Sequence, residues 1–124
     1  MAVNTTPIFV DSVRTEVAQH PAGTSATTVV SAGADGTRVD SVTLNASYAG
    51  ATTAAVYQII INDGAADRII HTGLISVITP STTIRPWNDT VTLGVFLKSG
   101  YSLKVNTASS AGQTIDASAT CGDF

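Results

Sequence analysis

Two runs of this chain, Thr37–Ala46 and Ala55–Asn62, alternate with a period of two and are dense in β-branched residues, which limits what can form around them. In the first, Val42, Leu44 and Ala46 point one way while Ser41, Thr43 and Asn45 point the other, as in a strand with one wet face. In the second, Tyr57, Ile59 and Ile61 oppose Val56, Gln58 and Ile60, so neither face is wholly polar. That pattern predicts an interior strand of a small antiparallel assembly.

The same period recurs along the chain. Residues 12–19 place Val13, Thr15 and Val17 against Arg14, Glu16 and Ala18. A short strand centred on Val29 and Val30 covers residues 26–31, and residues 67–78 form an apolar run interrupted by Arg68 and His71, with Gly73 predicting a bulge or bend. Residues 90–97 turn Val91, Leu93, Val95 and Leu97 inward and Phe96 outward, residues 101–107 bury Leu103 and Val105, and residues 114–121 bury Ile115, Ala117, Ala119 and Cys121. Turn chemistry separates these runs at His20-Pro21-Ala22-Gly23, Gly33-Ala34-Asp35-Gly36, Asn62-Asp63-Gly64 and Lys98-Ser99-Gly100. Residues 79–89 are irregular, because Pro80 and Pro86 cannot complete a ladder. No run of helical period is long enough for a crossover helix, which excludes a parallel doubly wound sheet. The expectation is an all-β, two-sheet antiparallel β-sandwich of about eight strands, jelly-roll-like. An immunoglobulin-like sandwich fits almost as well but lacks the paired cysteines. Residues 1–7 read as an extended amino-terminal arm and residues 8–124 as one sandwich domain.

Composition narrows the partners. Charged residues make up 12% of the chain, against a usual level of roughly 25%. The formal charge of −3 comes from scattered side chains, with no basic patch to follow a phosphate backbone, so direct nucleic-acid binding is not expected. No stretch approaches the roughly 18 consecutive apolar residues of a membrane span. The opening residues have neither a basic nor an apolar secretory region, and Cys121 is the single cysteine, which points to folding in a reducing cytosol.

Chemistry is sparse. His20 sits in a turn and reads as an exposed, idle imidazole, whereas His71 reads as a strand residue satisfied by a neighbour. The serine signatures of hydrolases, and the strand-to-helix elbow they need, are missing from the sequence. Asp63 and Asp67 bracket Gly64 and are the best local pair for calcium, but they read more simply as turn-forming carboxylates capping their own backbone. The sequence implies no catalytic residue, no cofactor and no metal.

Assembly is better supported. Trp87 reads as a lid over one open end of the sandwich or as an interface anchor. Phe96 on an outward position, Phe124 at the last position, and Ile8 and Phe9 beside the arm complete the interface candidates. A surface of Thr, Ser and Ala suits flat, closely packed contacts, where an isolated soluble monomer would carry more charge.

Gly33-Ala34-Asp35-Gly36-Thr37-Arg38-Val39 before a strand, Leu97-Lys98-Ser99-Gly100-Tyr101-Ser102-Leu103-Lys104-Val105, and Gly122-Asp123-Phe124 together resemble the small β-sandwich capsid decoration, or cement, proteins of tailed bacteriophages. The resemblance spans most of the chain from Thr27 onward and is one of layout and turn phrasing. It implies a non-enzymatic virion structural protein, made in the host cytoplasm, which binds the major capsid protein on the outer capsid surface as a homo-oligomer, commonly a trimer in that family. The arm would add a strand to a neighbour's open edge. A phage tail, neck or fibre module shares the same strand pattern. A carbohydrate-binding module, with Trp87 as its platform, is the reading from another class.

Overall fold

The computed structural model describes residues 10–47, 50–107 and 113–124. Eight strands occur in chain order: β1 Ser12–His20, β2 Thr27–Ser31, β3 Thr37–Ala46, β4 Ala55–Asn62, β5 Asp67–Ile75, β6 Asn88–Leu97, β7 Ser102–Thr107 and β8 Ile115–Asp123. They form two four-stranded antiparallel sheets, ordered β1-β8-β3-β6 and β2-β7-β4-β5. The first strand pairs with the last, the second with the seventh, the third with the sixth and the fourth with the fifth. The chain is thus one long antiparallel ribbon whose tip is the β4–β5 hairpin, wound so that all the connections except that hairpin cross from one sheet to the other. This is the jelly-roll-like solution, and the immunoglobulin-like alternative falls away.

The tip is built by the residues that predict it. Gly64 takes a φ of 89°, Asp63 Oδ1 accepts from the backbone N–H groups of Ala65 and Ala66 at 3.0 and 2.9 Å, and Asn62 Oδ1 accepts from Gly64 N at 2.9 Å. The Asp63 carboxyl is held below its usual range first by those two N–H groups, with a smaller contribution from Arg68. Asp67 takes a hydrogen bond from Asn62 and an ion pair from Lys104, whose chain spans β4 from β7 and so passes over the buried Ile60.

The inner faces of both sheets make one core around Val39, Val42, Leu44, Tyr57, Ile59, Leu97, Leu103 and Ile115. β8 lies between β1 and β3, and its Ile115, Ala117, Ala119 and Cys121 are buried as their alternation predicts. Asp40 is an extra residue of β3 relative to β8, so the buried positions change from Thr37 and Val39 to Val42, Leu44 and Ala46 across it. The strand bounds differ from expectation by a residue or two at several strands, β1 running on to His20 and β8 to Asp123 among them, and most at β5. β5 stops at Ile75, and its register shift falls at Ile70 instead of Gly73. β6 starts at Asn88, because Asn88 and Asp89 already pair with Asn45 and Leu44.

His20 corrects the reading of an exposed imidazole. It is the last residue of β1, in phase with the inward Arg14, Glu16 and Ala18, and is 2% exposed. Hydroxyl and carbonyl groups meet the ring there: Thr27 Oγ1 lies 2.9 Å from Nδ1, and the Gly23 carbonyl lies 3.2 Å from Nε2. A carbonyl only accepts, so Nε2 carries the proton and Nδ1 accepts from Thr27. At the same side of the sandwich Arg14 donates to Asp123, Glu16 and the Ser31 carbonyl, closing the gap between β1 and β2.

Candidate interaction surface

The predicted anchors among the described residues fall in two different environments. Trp87 is 5% exposed and lies in the core, its ring 5.5 Å from that of Tyr57. In the isolated chain it therefore offers a partner almost no surface. Phe96, by contrast, projects from the edge strand β6 at 51% exposure and packs on Phe124, with ring centroids 5.4 Å apart. Gly36, at a φ of 94°, leaves room for the Phe96 ring, and its carbonyl accepts from Phe124 N at 3.3 Å. Phe96, Phe124 and Gly36 thus make one apolar corner. Ile8 and Phe9 lie outside the described residues.

His71 is a satisfied strand residue, as its position predicts. Its Nε2 lies 3.4 Å from the Tyr57 hydroxyl, which donates to Asp89 Oδ2. This array ties β4 and β5 of one sheet to β6 of the other on the side opposite Arg14. Burial, and then the Asp89 carboxylate, push the Tyr57 pKa up, so the phenol stays protonated and serves as a hydrogen-bond donor. Among the described residues, no three His, Cys, Asp or Glu side chains come together as metal ligands.

The exposed apolar side chains concentrate on and beyond β5. This strand is a sheet edge, and Ile69, Ile70 and Leu74 are 55%, 40% and 75% exposed, followed by Val77 at 65%. Leu74 stands opposite Val56 and Ile69 opposite Ile60, so the apolar edge continues onto the outer face of β4. No Asp, Glu, Lys or Arg occurs between Arg68 and Arg85. Of the other edges, β2 is only five residues long with a register shift, and β1 carries Arg14 and Glu16 beside the exposed Val13 and Val17, whereas β6 is, like β5, a long edge, with Phe96 as its one largely exposed apolar side chain.

The outer face of the β1-β8-β3-β6 sheet is uncharged through its middle. Val17, Ser118, Thr43 and Thr90 lie in one row across the four strands, and Thr15, Thr120, Ser41 and Thr92 in the next. These short side chains, among them a Thr43–Thr90 hydroxyl contact of 3.2 Å, leave a smooth sheet face.

No protein-family model matches the chain, and no curated protein matches it. Among solved structures it is similar to a pentameric capsid protein isolated from metagenomic phage sequences, with 16% identity and a TM-score of 0.48 over 88% of this chain and 61% of that one. It is also similar to the structure of infectious bursal disease virus Gx strain, with 18% identity and a TM-score of 0.31 over 98% of this chain and 35% of that one. The chain spans less than two thirds of either. Both likenesses are remote, and the jelly-roll order stands on the strand pairing alone.

Proposed function

We propose that this is a non-enzymatic structural protein of a bacteriophage virion, which binds the outside of the capsid and stabilises it. The observation that carries the reading is the β5 edge: a nine-residue strand with open backbone groups, exposed Ile69, Ile70 and Leu74, and no charge after Arg68. A protein kept as a free monomer blunts such an edge with lysine, proline or a covering loop. Here the edge is a template for another chain, and strand addition supplies main-chain hydrogen bonds while the apolar side chains supply buried area.

The amino-terminal arm, with Ile8 and Phe9 at its junction to the sandwich, is the segment we assign to a neighbour's β5. The Phe96–Phe124 corner is a second contact. In this scheme Trp87 acts from within, by holding the sandwich end in shape. Contacts made between adjacent subunits are complete only on a mature, expanded shell, so binding stabilises that state by mass action. A trimer at a symmetry axis and the major capsid protein as partner follow from the same proposal.

Light scattering of the purified protein, combined with co-sedimentation on expanded and unexpanded shells, tests it. A discrete oligomer that sediments with expanded shells only is the expected result. A monomer at every concentration that ignores both shells sinks the proposal, and binding to tails instead of shells would move the protein to the tail, neck or fibre.

A further inference from the structure

At the far end of the hydroxyl-rich face from Phe96, the row Gln19, Asp116, Asn45 and Asn88 crosses the four strands of the sheet in register. Two concavities meet on this row. One, of about 590 Å³, is lined by Asn45, Ser47, Arg85, Pro86, Asn88 and Asp116. The other, of about 470 Å³, shares Asn45 and Asp116 and adds Val17, Gln19 and Ser118.

The first cleft has a fixed wall. Trp87 inserts its ring into the core, and its carbonyl accepts from Ala46 N at 2.8 Å, so residues 85–88 are pinned to the end of β3. Asn88 Nδ2 donates to the Pro86 carbonyl at 3.2 Å, which leaves its own carbonyl oxygen available. Among the described residues, Arg14, Arg38, Arg68 and Lys104 are ion-paired, whereas Arg85 and Lys98 are not, and of these two only Arg85 lines the clefts. Among the described residues, the Arg85 guanidinium and the Asn45 amide have no partner. Asp116 accepts from Gln19 at 3.3 Å and retains further acceptor capacity.

We propose that this pair of clefts binds an acidic glycan, with a carboxylate-bearing pyranose at Arg85 and a neutral sugar beside it. A guanidinium forks onto a carboxylate with two parallel hydrogen bonds. The Asn45 amide both donates and accepts, Asn88 and Asp116 accept, and together they match vicinal hydroxyls, while Pro86 and Val17 offer apolar surface to the C–H face of a ring. The carboxylate belongs in the Arg85 cleft because the only charge lining the adjoining one, Asp116, repels it. An acidic peptide fits less well: the row runs across the strands, perpendicular to the direction in which a peptide backbone pairs along a sheet edge. The site lies on the sheet that does not contain β5 and does not rest on the capsid proposal.

The test is an NMR titration of the ¹⁵N-labelled full chain with sialyllactose, digalacturonate and lactose. Saturable shifts at residues 45, 85–88 and 116 with one or both acidic sugars, about tenfold weaker with lactose, are expected. Arg85→Gln should remove that gap while leaving the rest of the spectrum in place, since Arg85 is exposed. Any of four results overturns the proposal: no saturable shift up to the solubility limit of the sugars, equal response to acidic and neutral sugars, indifference to Arg85→Gln, or equal shifts from an aspartate-rich peptide.

Discussion

His20 shows how pH reaches the interior of a sandwich with few charges. Burial lowers its pKa from 6.5, outweighing the Gly23 carbonyl that favours the charged ring. The unfolded chain therefore takes up a proton first, and the stability tied to the neutral ring is complete above about pH 6.5 and is lost as the pH falls through the depressed folded value. Asp63, Asp67 and Asp123 are held below 3.8, so they weaken the fold in the same direction only in a lower window. The melting temperature should drop between about pH 7.5 and about pH 5, and His20→Gln should flatten that drop while melting lower at the upper pH. A second residue acts by its absence of bulk. A methyl group on Gly73 would overlap the Tyr57 ring, so Gly73→Ala should cost about 1–3 kcal/mol in urea unfolding. An unchanged midpoint would mean that β5 moves aside freely.

Among the elements, β5 separates stability from association. Ile69 and Leu74 contribute little to the core at their exposure, so Ile69→Lys with Leu74→Lys should shift unfolding by no more than about 1 kcal/mol and abolish any oligomer seen by light scattering. An oligomer that survives both substitutions points instead to the Phe96 corner. The elements were also what the sequence displayed best. Alternation in residues 37–46, 55–62, 101–107 and 114–121 located four strands and their buried faces, because side-chain parity is a local property. The Asp40 bulge was hidden, since it leaves clean alternation on either side and shows only against β8. His20 was misread because His-Pro-Ala-Gly has turn composition, and because a face with Arg14 and Glu16 opposite Val13 and Val17 gives no local sign of being the inner one. The apolar run after Arg68 was visible, but its exposure follows from β5 being an edge, which only the strand order decides. The Arg85 cleft had no local signature: Gln19, Asn45, Asn88 and Asp116 meet solely through the register of four strands.

For the molecule as a unit, Cys121 is a reporter of global opening. It is fully buried on β8, its Sγ 3.5 Å from the Arg14 carbonyl, and burial raises its pKa. Alkylation should be negligible under native conditions and should appear along the same denaturant curve as the fluorescence change of the buried Trp87. Labelling ahead of that curve would show that β8 detaches while the core persists. The place of β8 also governs synthesis. β1 is the first of the eight strands to be made and, among the described residues, pairs only with residues 115–123, so it waits for that segment to clear the ribosomal tunnel before this sheet partner exists. Every nascent chain must carry an unpaired Val- and Thr-bearing strand through translation of the whole sandwich. A product truncated before β8 would keep β1 and one edge of β3 open together, which makes premature termination a route to aggregates.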